Sequence, residues 1–194
     1  MKLYCATKNH GKLAEFQLAA RQSGAFDVEV MPGLRDMPPC EETGHTFREN
    51  AVQKALYYSA RVPGYLFVDD SELAVDALNG APGVHSARFA GPHGNDRANN
   101  ALLLEKMRGV TDRRARFVCL VALAQDGKLV ETFEGTIEGE LLDGPRGGGG
   151  FGYDPLFYHP PFGCTLAEAT EEQKILVSHR GKALRAMFRY LETA

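Results

Sequence analysis

The chain has 194 residues, 44% of them hydrophobic and 24% charged, which are values of an ordinary globular protein and exclude a disordered one. Lys and Arg number 22 and Asp and Glu 25, a net charge of −3, which argues against a protein that grips polymeric nucleic acid by its phosphates. The longest apolar run, 117–124, falls well short of the roughly 20 residues a membrane-spanning helix needs.

In chain order, residues 2–6 predict a short strand, and Leu13, Phe16 and Ala20 then share one face of a helix. Val28 to Val30 predict a second strand, and 31–45 are turn-rich. In 46–60, Phe47, Ala51, Ala55 and Tyr58 recur at helical spacing. Residues 65–69 predict a buried strand ending in two acids, and 73–78 a further strand. The glycine-rich stretch 79–96 predicts a loop, and 99–107 a helix.

Residues 115–124 and the run after 125–128 predict a hairpin, because Asp126-Gly127 is a strong two-residue turn signal. On the return strand Leu129, Phe133, Ile137 and Leu141 share one face. Residues 144–154 predict a loop holding six of the chain's 21 glycines, followed by helical segments at 167–175 and 178–191. Strands alternating with helices, plus one long hairpin, predict an α/β protein with a mixed sheet. The four cysteines (Cys5, Cys40, Cys119, Cys164) form no CxxC pair and read as reduced thiols. The start has no basic stretch followed by an apolar core, so a cytoplasmic location is expected.

Four clusters are candidates to carry chemistry, each weak alone and each with a plain structural reading beside it: a helix cap, a helix N-terminus, a strand-to-turn junction, and core packing with a surface Arg. Thr7, Lys8, Asn9, His10, Gly11 and Lys12 lie where a strand gives way to a helix, and hydroxyl, amide, lysines and helix-start N–H groups make an anion cradle. The spacing is not that of a P-loop, and Asn9 reads equally as a plain N-cap. Glu41 and Glu42 precede a turn and a helix. Asp69 and Asp70, followed by Ser71, end an apolar run, where ligands of open α/β sheets bind and where hard oxygen donors suit Mg²⁺. Finally, Phe151, Gly152, Tyr153 and Asp154 follow a glycine run, and Lys174, His179 and Arg180 come later. Glycines beside an aromatic let a flat base approach the backbone and stack.

The segments ATKNHGK (6–12), EETG (41–44), DDS (69–71), GGFGYDP (149–155) and SHRG (178–181) resemble the inosine triphosphate pyrophosphatase (Ham1-like) family in order and spacing along essentially the whole chain. The resemblance implies one α/β domain over 1–194, its long mixed sheet flanked by helices that form two lobes with a central nucleotide cleft. It implies Mg²⁺-dependent hydrolysis of the non-canonical purine nucleotides ITP, dITP and XTP to monophosphate and pyrophosphate by a homodimer. Thr7 to Lys12 would then bind the triphosphate. Asp70 would be proton acceptor and metal ligand, Glu41 a second metal ligand, and Ser71 a substrate contact. Phe151, Gly152, Tyr153, Asp154, Lys174, His179 and Arg180 would hold the base. Two places depart from the family pattern: Glu72 stands where a glycine is expected, and 171–178 reads EEQKILVS. The competing expectations are a pyrimidine-directed pyrophosphatase of the Maf type and a nucleotide-binding protein without chemistry.

Overall fold

A computed structural model describes residues 1–92 and 94–193. Among the described residues these strands and α-helices follow one another: β1 (Lys2–Cys5), α1 (His10–Ser23), β2 (Asp27–Val30), α2 (Phe47–Ser59), β3 (Tyr65–Val75), α3 (Asp96–Lys106), β4 (Arg114–Gln125), β5 (Lys128–Leu141), β6 (Phe157–His159), β7 (Cys164–Thr165), α4 (Glu171–Val177) and α5 (His179–Thr193). The sheet has seven strands in the order β2-β1-β3-β4-β5-β6-β7. β1 runs parallel to β2 and β3, while β6 is antiparallel to β5 and β7. The sheet is therefore mixed, as alternating strands and helices with one hairpin require.

Local chemistry explains the element ends. Asn9 caps α1, its side chain accepting from Lys12 N at 3.0 Å, so the plain N-cap reading holds alongside any role in binding. Thr46 and Glu49 form a reciprocal capping box at α2. Asp126 and Gly127 both have positive φ, 50° and 73°, the geometry a tight hairpin turn needs to match strand twist.

Two expectations are corrected. Residues 65–78 do not split into two strands: β3 runs unbroken from Tyr65 to Val75, so Asp69 and Asp70 lie inside it rather than at its end, and 76–78 form a 3-10 turn. Leu129 is in phase with the buried Phe133, Ile137 and Leu141 along β5 but stands near the hairpin tip and is 43% exposed. The stretch 79–96 includes a 3-10 helix, Gly83–Arg88.

The chain divides into two compact units, one of residues 1–70, 119–135 and 178–194, the other of 71–118 and 136–177. Each has its own apolar core. In the first, Leu66, Val68, Leu120 and Ala122 meet Ala51, Ala55 and Tyr58 of α2. In the second, Leu73, Val75, Phe117 and Ile137 meet Leu103 and Met107 of α3, with Tyr153 and Phe157.

All four cysteines are free thiols. Burial, with the negative charge of Asp69, pushes the Cys5 thiol up to about 12. Because the thiolate is the reactive form, iodoacetamide at pH 8 is expected to label the half-buried Cys40 and Cys164 before Cys5, as read by peptide mass mapping of the native protein.

Candidate active site

In the first unit the acid pair of β3 is surrounded by cations. Asp69 Oδ1 meets Lys12 Nζ at 3.0 Å, and Asp69 Oδ2 accepts from Arg180 Nε, also at 3.0 Å. Arg180 Nη1 reaches Glu15 Oε2 of α1 at 2.5 Å. Asp69, Arg180 and Glu15 are all buried. Burial by itself would raise the Asp69 pKa, but Lys12 and Arg180 outweigh it and hold the carboxyl well below the usual carboxylate range. Burial likewise opposes the charge on Arg180, and Glu15 and Asp69 more than restore it.

Asp70 differs from its neighbour. Its ion-pair partner is Lys54 Nζ, at 3.5 Å. Burial raises its pKa, and Lys54 and Lys12 offset only part of that. Of two adjacent acids, one is locked ionised between cations and the other is held by one long contact at a raised pKa. This is how a pair of like groups acquires different roles.

Lys54 also meets Glu42 Oε1 at 3.4 Å. The loop carrying Glu41 and Glu42 is tied to α2 by a polar stripe at i, i+3, i+4: Asn50 Oδ1 accepts from Gly44 N at 2.8 Å, Gln53 Oε1 accepts from Thr43 N at 3.3 Å, and Lys54 pairs with Glu42. Gly44 lies so close that an added Cβ would sit 2.6 Å from Glu49 Cβ. Glu41 is exposed on this loop, and Glu42 is the acid that shares a cation with Asp70.

Ser178 Oγ accepts from Gly181 N at 3.1 Å, capping α5 and setting His179 and Arg180 in its buried first turn. Of the expected base-binding donors, His179 and Arg180 belong to the first unit and Lys174 to the second. The Arg180 guanidinium is bound to Asp69 and Glu15.

In the second unit lie Ser71, Phe151, Gly152, Tyr153, Asp154 and Lys174. Asp154 Oδ2 accepts from Phe151 N at 2.8 Å and meets Lys174 Nζ at 2.5 Å. The ammonium of Lys174 stands 4.7 Å from the Phe151 ring centroid. Tyr153 is buried, its hydroxyl donating to Ser86 O at 2.7 Å. Phe151, Asp154 and Lys174 thus hold one another: the acid fixes the backbone of the ring residue and the cation that faces the ring. Lys174→Met withdraws the ammonium from a buried carboxylate and is expected to cost about 3–5 kcal/mol, read as a lower urea midpoint.

Lys54 and Glu15 escaped the sequence reading. For Lys54 the signal lies on the polar face of α2, where it extends the Asn50 and Gln53 stripe.

Fold and site together define a mixed-sheet α/β protein with a cation-flanked carboxylate pair, Asp69 buried and Asp70 half-buried. The chain belongs to the Ham1 family, whose sequence profile matches residues 3–190. It is 51% identical over 187 residues to a dITP/XTP pyrophosphatase of Exiguobacterium sp., covering 96% of this chain and 95% of that one. It is 47% identical over 196 residues to a dITP/XTP pyrophosphatase of Acidobacterium capsulatum, covering 96% of each. Among solved structures it is similar to the Staphylococcus aureus Ham1 protein (TM-score 0.86, 39% identity, covering 100% of this chain and 99% of that one) and to a HAM1 protein from Coxiella burnetii (TM-score 0.86, 38% identity, 100% of both chains).

Proposed function

We propose that this chain hydrolyses the non-canonical purine nucleoside triphosphates ITP, dITP and XTP to monophosphate and pyrophosphate, keeping them out of DNA and RNA. The observation that carries this reading is the contrast between Asp69 and Asp70. A base must be able to accept a proton, and Asp70, with its raised pKa and single long ion pair, suits that task better than Asp69 between Lys12 and Arg180.

Asp70 orients a water molecule and takes its proton as the water attacks the α-phosphorus. Pyrophosphate departs with growing negative charge, which Lys12 and the backbone N–H groups that begin α1 are suited to stabilise. Thr7, Lys8, Asn9, His10 and Gly11 complete this triphosphate cradle. Phe151 supplies a face for the purine, with Gly152, Tyr153, Asp154 and Lys174 around it. Ser71, His179 and Arg180 are the further substrate residues. A 6-oxo purine presents an acceptor to these donors, and adenine presents a donor, so ATP is disfavoured.

The residues fit a divalent cation. Asp70 and Glu42 converge on one cationic atom, Lys54 Nζ. Among the described residues no three or more His, Cys, Asp or Glu side chains gather into a metal cage, and Mg²⁺ ordinarily takes one or two carboxylates plus substrate phosphates. We assign Asp70 as one ligand and Glu41, exposed on the same loop next to Glu42, as the other. When bound, Mg²⁺ supplies positive charge against the phosphate oxygens.

The protein is further read as one domain over 1–194, a homodimer and cytoplasmic. No helix among the described residues is long and apolar enough to cross a membrane. The test is pyrophosphate release from ITP, dITP, XTP, ATP and GTP with Mg²⁺ and with EDTA. Release from the first three, abolished by EDTA, is expected, and equal kcat/KM for ITP and ATP would overturn the donor account of base choice.

A further inference from the structure

Two side chains of α3 with no role in the chemistry above close on a single backbone residue of the aromatic loop. Asp96 Oδ2 accepts from Gly152 N at 2.8 Å, and Asn100 Nδ2 donates to Gly152 O at 3.0 Å. The two lie four apart on one helix, so they project from the same face. Gly152 has φ +62°, a left-handed conformation that glycine adopts without steric cost. It directly follows Phe151, whose own N–H is taken by Asp154 Oδ2. The ring residue is therefore gripped on both flanks, by Asp154 on one side and by α3 on the other.

The helix that does this is itself anchored. Asn99, buried, accepts from Ala90 N at 2.8 Å and donates to Ala87 O at 3.2 Å. Leu103 and Met107 of the same helix lie in the core of this unit. A cavity of about 460 Å³ lies beside the clamp, lined among others by Asn100, Leu104, Gly149 and Phe151. Tyr153 packs in the core with Leu103 and Met107 of the same helix, and the two hydrogen bonds at Gly152 add a polar tie directly beside Phe151.

We propose that Asp96 and Asn100 are positioning residues: acting through the Gly152 backbone, they set the plane of the Phe151 ring and with it the binding and selection of the purine. The inference rests on the reading of Phe151 as the base platform. A stacking surface works only if its tilt is fixed before the ligand arrives, because a loop that must be ordered on binding loses affinity to that ordering.

The experiment compares the wild type with Asp96→Ala, Asp96→Asn and Asn100→Ala. It reads steady-state kinetics on ITP and ATP, and amide hydrogen exchange of the peptide spanning 148–154. Asp96→Ala and Asn100→Ala are expected to raise KM for ITP about tenfold while kcat stays within about threefold, and to lower the ITP-to-ATP ratio of kcat/KM. Exchange in 148–154 quickens with them. Asp96→Asn retains an oxygen that can accept the Gly152 N–H, so it stays within about twofold of wild type. The proposal is overturned if the alanine variants leave KM unchanged, if kcat on ITP and ATP falls equally with KM unmoved, or if Asp96→Asn behaves as Asp96→Ala. A wild type that releases no pyrophosphate from ITP overturns the proposed function and the inference together, whereas an active wild type with indifferent variants overturns the inference alone.

Discussion

Asp70→Asn is expected to lower pyrophosphate release from ITP by about two orders of magnitude or more, with the fold intact. The amide has the shape of the carboxylate but cannot take a proton from water at neutral pH. Its effect on stability has the opposite sign to that of the neighbouring Asp69→Asn. The Asp70 pKa in the fold lies above the ordinary 3.8, so the ionised form is the one the fold disfavours, and a neutral amide relieves that cost. The Tm of Asp70→Asn at pH 7 therefore holds or rises slightly. The Asp69 pKa lies below 3.8. Its carboxylate contributes stability that is present above pH 3.8 and lost as pH falls from there through the depressed value. Asp69→Asn therefore lowers the Tm at pH 7 and flattens the acid side of the stability profile. Calorimetry and a pyrophosphate assay on the two variants separate the roles. Full turnover by Asp70→Asn would remove it as the base.

Gly135→Ala is expected to be the most damaging single methyl in the chain. Gly135 lies on the buried face of β5, beneath the first turn of α5, and an added Cβ would stand 2.1 Å from His179 O and 2.8 Å from Ala183 N. Those atoms are helix backbone and cannot rotate away as a side chain would, so α5 has to shift. Overpacking of this kind costs about 3 kcal/mol, which for a chain of this size is a fall in Tm of about 6–12 °C. Activity falls too, because the displaced turn carries Arg180, whose Nε holds Asp69. Gly144→Ala is the control: it has open space around it and is expected to leave Tm and turnover unchanged. An unshifted Tm in Gly135→Ala would show that α5 gives way freely there.

Features whose cause is local could be read in the sequence. The Asn9 cap, the Asp126-Gly127 turn and the apolar faces of α1 and α5 depend on residues a few positions apart, and the structure has all of them. Asp69-Asp70-Ser71-Glu72 reads as a strand end, yet β3 runs through it to Val75. It continues because Lys12 and Arg180, the latter 111 positions away, neutralise Asp69 inside the sheet. β6 and β7, of three and two residues, are too short for any period to show. The site divides in the same way. Its residue types stood out, but which cation serves which acid did not. Arg180 reads from the sequence as a donor to a base, and its contacts to Asp69 and Glu15 could not be read there. Lys54 was missed because its partners, Glu42 and Asp70, approach it from segments twelve and sixteen residues distant.

The sheet ends in small margins. β2 contributes four residues, with Asp27 and Glu29 exposed, and β7 contributes two. An open strand edge is a template on which a second chain can extend the sheet, and these margins offer such a chain only a few backbone groups, flanked on one side by negative charge. Of the long strands, β4 lies between two others of similar length, whereas β3 meets the short β1 over Leu66 and Phe67 and β5 meets β6 over Glu140 and Leu141. The longest stretches of strand edge in this sheet therefore belong to its inner strands, past the ends of their short neighbours.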